Sequence, residues 1–335
     1  MAERWPLCRG ALLTLALLVA PAPGFAQTAG APLVLEAKIP LGSVKGRIDH
    51  LAVDLKRQRL FVAELGNNSL GIVDLAARKV LRTMTEFSEP QGVGYEPASD
   101  TLYVASAGDG SVRLFGGDDL APVGRIELGD DADNIRIDVA RGRVFVGYGK
   151  GALAVIDPVS RGKTSEFRLK GHPEGFQIDD SGSRAFVNVP DARAIEVVDL
   201  SGGTANRALS TEGSRANFPM ALDPDAHRVL VVFRSPPTLI ALSTEDGKIV
   251  AKLETCGDAD DVFVDAKRHR VYVSCGEGAV DVLEPREAGY ARLAKEQTVS
   301  GARTSLFVPE VDRLFVAARA SMGEPAAIWV FRPTP

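Results

Sequence analysis

Short apolar segments recur along the chain at a nearly constant interval. Each has a three-residue β-prone centre that follows a turn. They are Leu60-Phe61-Val62, Leu102-Tyr103-Val104, Val144-Phe145-Val146, Ala185-Phe186-Val187, Val229-Leu230-Val231, Val271-Tyr272-Val273 and Leu314-Phe315-Val316. Their central residues lie 42, 42, 41, 44, 42 and 43 positions apart. Within each segment the apolar positions alternate at two, which is strand periodicity; helical repeats of this length would show spacing near 3.6. A period near 42 with several short strands per unit is the signature of propeller blades. The predicted fold class is all-β, a seven-bladed β-propeller.

The units divide alike. A first strand ends at an acidic or turn residue, as in Val53-Asp54, Ile137-Asp138, Ile178-Asp179, Leu222-Asp223 and Val264-Asp265. A polar turn leads into the apolar second strand. A glycine- or asparagine-rich turn of hairpin type follows, and third and fourth strands complete the unit. Aligning the units on the acidic position yields two apolar columns. Three residues before it stand Leu51, Val93, Ile135, Phe176, Met220, Val262 and Leu306; one before it stand Val53, Tyr95, Ile137, Ile178, Leu222, Val264 and Val308. This spacing of two marks one face of an inner strand packed on the next blade. The last unit stops after its third strand, Ala327–Phe331, while residues 33–39 form a spare strand near the start. That strand is expected to pair as the outer strand of the seventh blade and cover its open edge, so that residues 27–335 make one domain.

The first 26 residues break the pattern. Arg4 and Arg9 precede or begin an apolar run, Ala11–Ala20, and Gly24-Phe25-Ala26 supplies small residues before Gln27. This is the layout of a cleaved signal peptide, and the run is short for a membrane span. The expected location is the periplasm or the exterior, with no transmembrane segment in the mature chain. The formal charge of −5 becomes −6 when residues 1–26 are removed, which makes nucleic acid an unlikely main partner because a phosphate backbone asks for a basic face. Cys8 leaves with the signal. Cys256 and Cys275 remain, an even pair in an oxidising compartment, and a disulfide is expected; free thiols or soft-metal ligands are the alternative. No C-x-x-C-H haem motif, G-x-S-x-G elbow or phosphate loop is present.

The cadence of "RLFVAELGNNSLGIVDL" and "RVYVSCGEGAVDVLEP", with the stretches "GDDADNIRID", "FVNVPDARAIEVVDL", "NFPMALD" and "GARTSLFVPE", resembles the YVTN-repeat, YncE-like bacterial propellers over residues 33–332. The resemblance implies a periplasmic seven-bladed propeller of binding or accessory type. Some relatives carry lactonase-type names.

In a propeller the loops that lead into the inner strands share one face. Five residues before the acidic anchor stand Asp49, Gln91, Asp133, Glu174, Phe218, Asp260 and Thr304; one position later stand His50, Gly92, Asn134, Gly175, Pro219, Asp261 and Ser305, with Asn217 and Arg303 one step earlier. The candidate ligand-binding rim is therefore Asp49, His50, Asp133, Asn134, Glu174, Asn217, Asp260, Asp261 and Arg303, an acidic channel mouth near which His172 also falls. His227 and His269 fall on the opposite face. The carboxylates Asp49, Asp133, Glu174 and Asp260 are candidate ligands for calcium or magnesium, which take oxygen donors. Solvated turn acids that bond their own backbone are the plainer reading. The expected function is a binding or scaffold module for a small polar ligand, a cation or a periplasmic protein, acting as a monomer. The alternative is a metal-dependent hydrolase of the lactonase type, with the metal polarising a carbonyl and His50 or a carboxylate handling the proton.

Overall fold

Strands that are apolar on both faces need cover on both, and a radial array of sheets supplies it. The computed structural model describes residues 1–2, 30–202, 206–287, 289–321 and 323–335; the expected signal segment falls almost wholly outside them. Pro32–Pro335 forms one compact unit. It contains seven four-stranded antiparallel sheets and, among the described residues, no α-helix. The fold is a seven-bladed β-propeller. In the first blade the order from the centre outward is Leu51–Asp54, Arg59–Glu64, Ser69–Asp74 and Lys79–Met84. The inner strands of blades two to seven are Pro90–Glu96, Ala132–Asp138, Phe176–Ile178, Arg215–Asp223, Ala259–Asp265 and Ser305–Val308. Each touches the next, and the seventh touches the first.

The core lies between blades rather than at one centre. Tyr103 and Ala105 of the second blade pack with Ile135, Val144 and Val146 of the third. Leu51 and Leu60 of the first pack with Val308 and Phe315 of the seventh. The repeated second-strand centres are excluded from solvent, and burial of a side chain of this size is worth roughly 1.5–3 kcal/mol. Of the two apolar columns, the first is buried except at Leu306; the second is half-buried except at Val308. Part of the second column, including Val53, Tyr95 and Ile137, also faces the central cavity, which accounts for its exposure.

Ring closure follows the expected scheme. Leu33–Pro40 pairs antiparallel outside Ala327–Pro333, with Ile39 opposite Ile328 and Leu33 opposite Pro333. A register shift between Leu35 and Ala37 turns Glu36 aside, where it accepts hydrogen bonds from Arg313 Nε at 2.6 Å and Arg332 Nε at 2.8 Å. At the other end of the blades the acidic anchors are turn-formers. Asp54 accepts from the Arg57 backbone N–H at 3.1 Å, and the Arg57 guanidinium reaches Asp100 of the next blade at 2.6 Å. Arg268 repeats this with Asp265 and Asp312.

Candidate functional site

Strand alternation alone would send consecutive residues to opposite faces of a sheet. At the start of four inner strands the register slips, between Pro90 and Val93, Ala132 and Ile135, Asn217 and Met220, and Ala259 and Asp261. Such bulges re-aim side chains. Here they let neighbours such as Asp133 and Asn134, or Asp260 and Asp261, line the same central cavity of about 580 Å³. The fourth blade has a short inner strand and instead presents His172 and Glu174 from the segment before it. Glu174 is fixed by its backbone: its N–H donates to Asn188 O, and Gly175 N–H donates to Phe218 O of the fifth blade, both at 3.0 Å. A side chain at Gly175 would meet that carbonyl at 2.4 Å, so only glycine permits the approach.

Of the sequence-derived rim residues, His50, Asp133, Asn134, Glu174, Asp260, Asp261 and Arg303 line the cavity, together with His172. Asp49 and Asn217 are not among the lining residues. Asp49 is buried behind the rim, 2.6 Å from the Arg47 guanidinium and 3.7 Å from His50 Nε2. Asn217 is fully buried; its amide donates to Asn188 Oδ1 at 3.1 Å and Ala194 O at 2.9 Å, while Asn188 donates to the Phe218 carbonyl. The pair clamps the fourth blade to the fifth. His227 and His269 are exposed.

Three arginines that sequence columns did not expose also line the mouth: Arg47, Arg136 and Arg234. Arg234 lies 3.8 Å over the Phe218 ring, a cation–π contact, and donates to Asp260 Oδ1 at 2.6 Å. Arg303 joins the same acid at 3.3 Å and donates to Asp258 at 2.8 and 2.9 Å. The loop that carries these acids is tied at its base, where the Cys256 and Cys275 sulfurs are joined in a disulfide. The rim is thus mixed in charge rather than simply acidic, and its two sides differ. Around the sixth and first blades carboxylates meet arginines. Around the third and fourth, among the described residues, no lysine or arginine comes within 4 Å of the carboxylates of Asp131, Asp133 or Glu174; His172 is the cationic neighbour of the first two, at 3.5 Å from Asp131 and 3.7 Å from Asp133, and it acts on Glu174 from a longer distance, as Arg234 does.

Burial governs the titration of these groups. It pushes the Asp49 carboxyl up to about 8 despite Arg47 and the Glu174 carboxyl up to about 8, with Asp133 adding repulsion at both. It pushes Asp261 up to about 7 although His50 and the Ser305 N–H favour its anion. At His172 burial opposes the charge, but Asp133, the Gly149 carbonyl and Asp131 outweigh it and raise the imidazole to about 9. Burial lowers Arg136, which donates to the Ile135 carbonyl at 2.8 Å.

A scan against protein-family models finds no match, and no curated protein matches the sequence. Among solved structures, a chain of the Kuenenia stuttgartiensis hydrazine synthase superposes with a TM-score of 0.69 at 17% identity, over 88% of this chain and 96% of that one. A chain of a mitotic checkpoint complex superposes with a TM-score of 0.73 at 12% identity, over 96% of this chain and 98% of that one. These likenesses show the fold. The fold is compatible with a binding or scaffold module, and no helix among the described residues is long and apolar enough to cross a membrane.

Proposed function

We propose that this propeller is an exported binding module that holds a small, positively charged polar ligand at its channel mouth. The observation that carries the reading is the uneven ionic rim. Arg47, Arg234 and Arg303 are engaged with Asp49, Asp258 and Asp260, whereas among the described residues Asp131 and Asp133 have only His172 as an ion-pair partner and Glu174 has none, feeling His172 and Arg234 from farther off. A ligand cation entering the cavity meets these acids in a setting shielded from bulk water, where charge–charge attraction is stronger than in solvent and draws the proton off Glu174. The paired arginines on the far wall orient a polar tail by hydrogen bonding. The repeat cadence supports placing the chain among the YVTN-repeat, YncE-like propellers. The signal-like residues 1–26 and the disulfide support a periplasmic setting.

The test is thermal melting of the purified protein with small amines and quaternary ammonium compounds on one side and small dicarboxylates on the other. Cationic solutes are expected to raise the melting temperature in a saturable way, and Glu174→Gln to remove the effect. Stabilisation by the dicarboxylates alone would overturn the reading. Export is checked by intact mass, which is expected to match a chain starting at Gln27.

A further inference from the structure

We infer that Asp133, His172 and Glu174 form a binding site for a divalent first-row transition ion of the zinc type. The inference rests on the proposed cation-binding mouth and identifies the positive group. One donor atom from each of the three side chains lies within 4.8 Å of the other two. Ligands around a tetrahedral zinc at roughly 2.0–2.2 Å stand about 3.4 Å apart, so closing the site asks for side-chain shifts on the order of 1 Å and no movement of a blade.

Two further observations point to a ligand. Asp133 is 5% exposed and lines the cavity; its Oδ2 faces His172 Nε2 at 3.7 Å, and its Oδ1 is buried without a hydrogen-bond partner. A buried carboxylate oxygen left unpartnered is costly, and a metal ion would satisfy it. The imidazole of His172 is oriented as a ligand would be. Its Nδ1 lies 2.7 Å from the Gly149 carbonyl, which can only accept, so Nδ1 carries a hydrogen and Nε2, whose proton the metal ion would displace, is the nitrogen turned toward Asp133. A backbone carbonyl on the far nitrogen is the common way in which proteins fix a metal-binding histidine.

The donor set changes the metal expected from carboxylates alone. Calcium and magnesium take oxygen ligands, whereas an imidazole nitrogen favours zinc and its first-row neighbours. Three protein ligands beside an open cavity leave a coordination position for water or for a donor atom of a small molecule. The site joins the third and fourth blades.

The experiment is calorimetric titration of the chelator-treated, dialysed protein with zinc chloride, together with the visible spectrum of the cobalt(II) form. One equivalent of zinc is expected to bind, and cobalt to give the intense d–d bands of a low-coordinate nitrogen–oxygen site. His172→Gln and Glu174→Gln are each expected to weaken binding at least about tenfold, the loss that even an outer-shell partner can cause. His227→Gln and His269→Gln, on the opposite face, are expected to leave binding unchanged. Circular dichroism without metal confirms that each variant is folded. Absence of zinc binding to the folded protein, or equal affinity in the His172 and Glu174 variants, would overturn the site. If organic amines still stabilise the protein in that case, only the metal inference falls; if neither class binds, the cationic-ligand reading falls as well.

Discussion

At the residue scale the mouth is a set of buried charges held by specific partners. Asp261 illustrates how that burial is felt. One oxygen accepts the Ser305 N–H at 2.7 Å and the other lies 3.8 Å from His50 Nδ1, yet desolvation dominates and moves the carboxyl from 3.8 to about 7. Between these values the folded chain keeps a proton that the unfolded chain has released. The contribution of this group to stability is therefore present at low pH and is lost as pH rises through that window. Asparagine at this position still accepts from Ser305 and has no charge to bury. Asp261→Asn is thus expected to gain stability relative to the parent from about pH 4 to 7, by a few kcal/mol at most, and to hold a constant advantage above about pH 8. Urea midpoints of the two proteins across pH check this; a difference that does not change with pH would exclude it.

At the element scale the same strand–turn unit is reused with local departures that build the site. The bulge in Ala132–Asp138 brings Asp133 and Asn134 to one surface, and the short strand Phe176–Ile178 leaves His172 and Glu174 on the preceding segment. The sixth blade carries the one covalent cross-link among the described residues. It closes a 19-residue separation between Cys256, before the inner strand, and Cys275, at the end of the second. Constraining a loop of that length in the unfolded chain is worth about 3 kcal/mol in the entropic account. The double variant Cys256→Ser/Cys275→Ser is expected to lose stability of that order. It should also loosen the Asp258–Asp260 loop that holds Arg234 and Arg303. Hydrogen exchange across residues 256–262 reads the second effect, and unchanged protection there would show that the loop holds without its tether.

At the scale of the whole molecule the ring depends on joining the two ends of the chain. Leu33 and Ile39 are buried against the seventh blade, Glu36 pairs with Arg313 and Arg332, and the Thr334 N–H donates to the Pro32 carbonyl at 3.0 Å. Deleting residues 27–40 strips two core side chains and leaves Ala327–Pro333 as an open, sticky edge. Loss of the two side chains alone costs at least about 3 kcal/mol, which corresponds to a fall in melting temperature of about 5 °C or more. Calorimetry and light scattering are expected to show that fall together with self-association; an unshifted, monomeric melt would mean that the ring closes without this strand. Ring closure is also what brings side chains far apart in sequence, such as His50 and Asp261, to one opening.

Much of this is legible in the chain alone. A period near 42, alternation at two and a spare strand at the start specify seven blades and their closure, because each follows from local strand chemistry and a count. The rim column was legible for the same reason: equivalent positions in equivalent units arrive at equivalent places. Tertiary structure alone decided how those positions meet. Asp49 turned inward to Arg47, Asn217 became a clamp between blades, and Arg234 reached the mouth from the end of a second strand, outside the aligned columns. Which acids are neutralised and which remain for a ligand depends on distances between blades. Those distances are set by the curvature of the ring and by bulges that leave no periodic mark in the sequence.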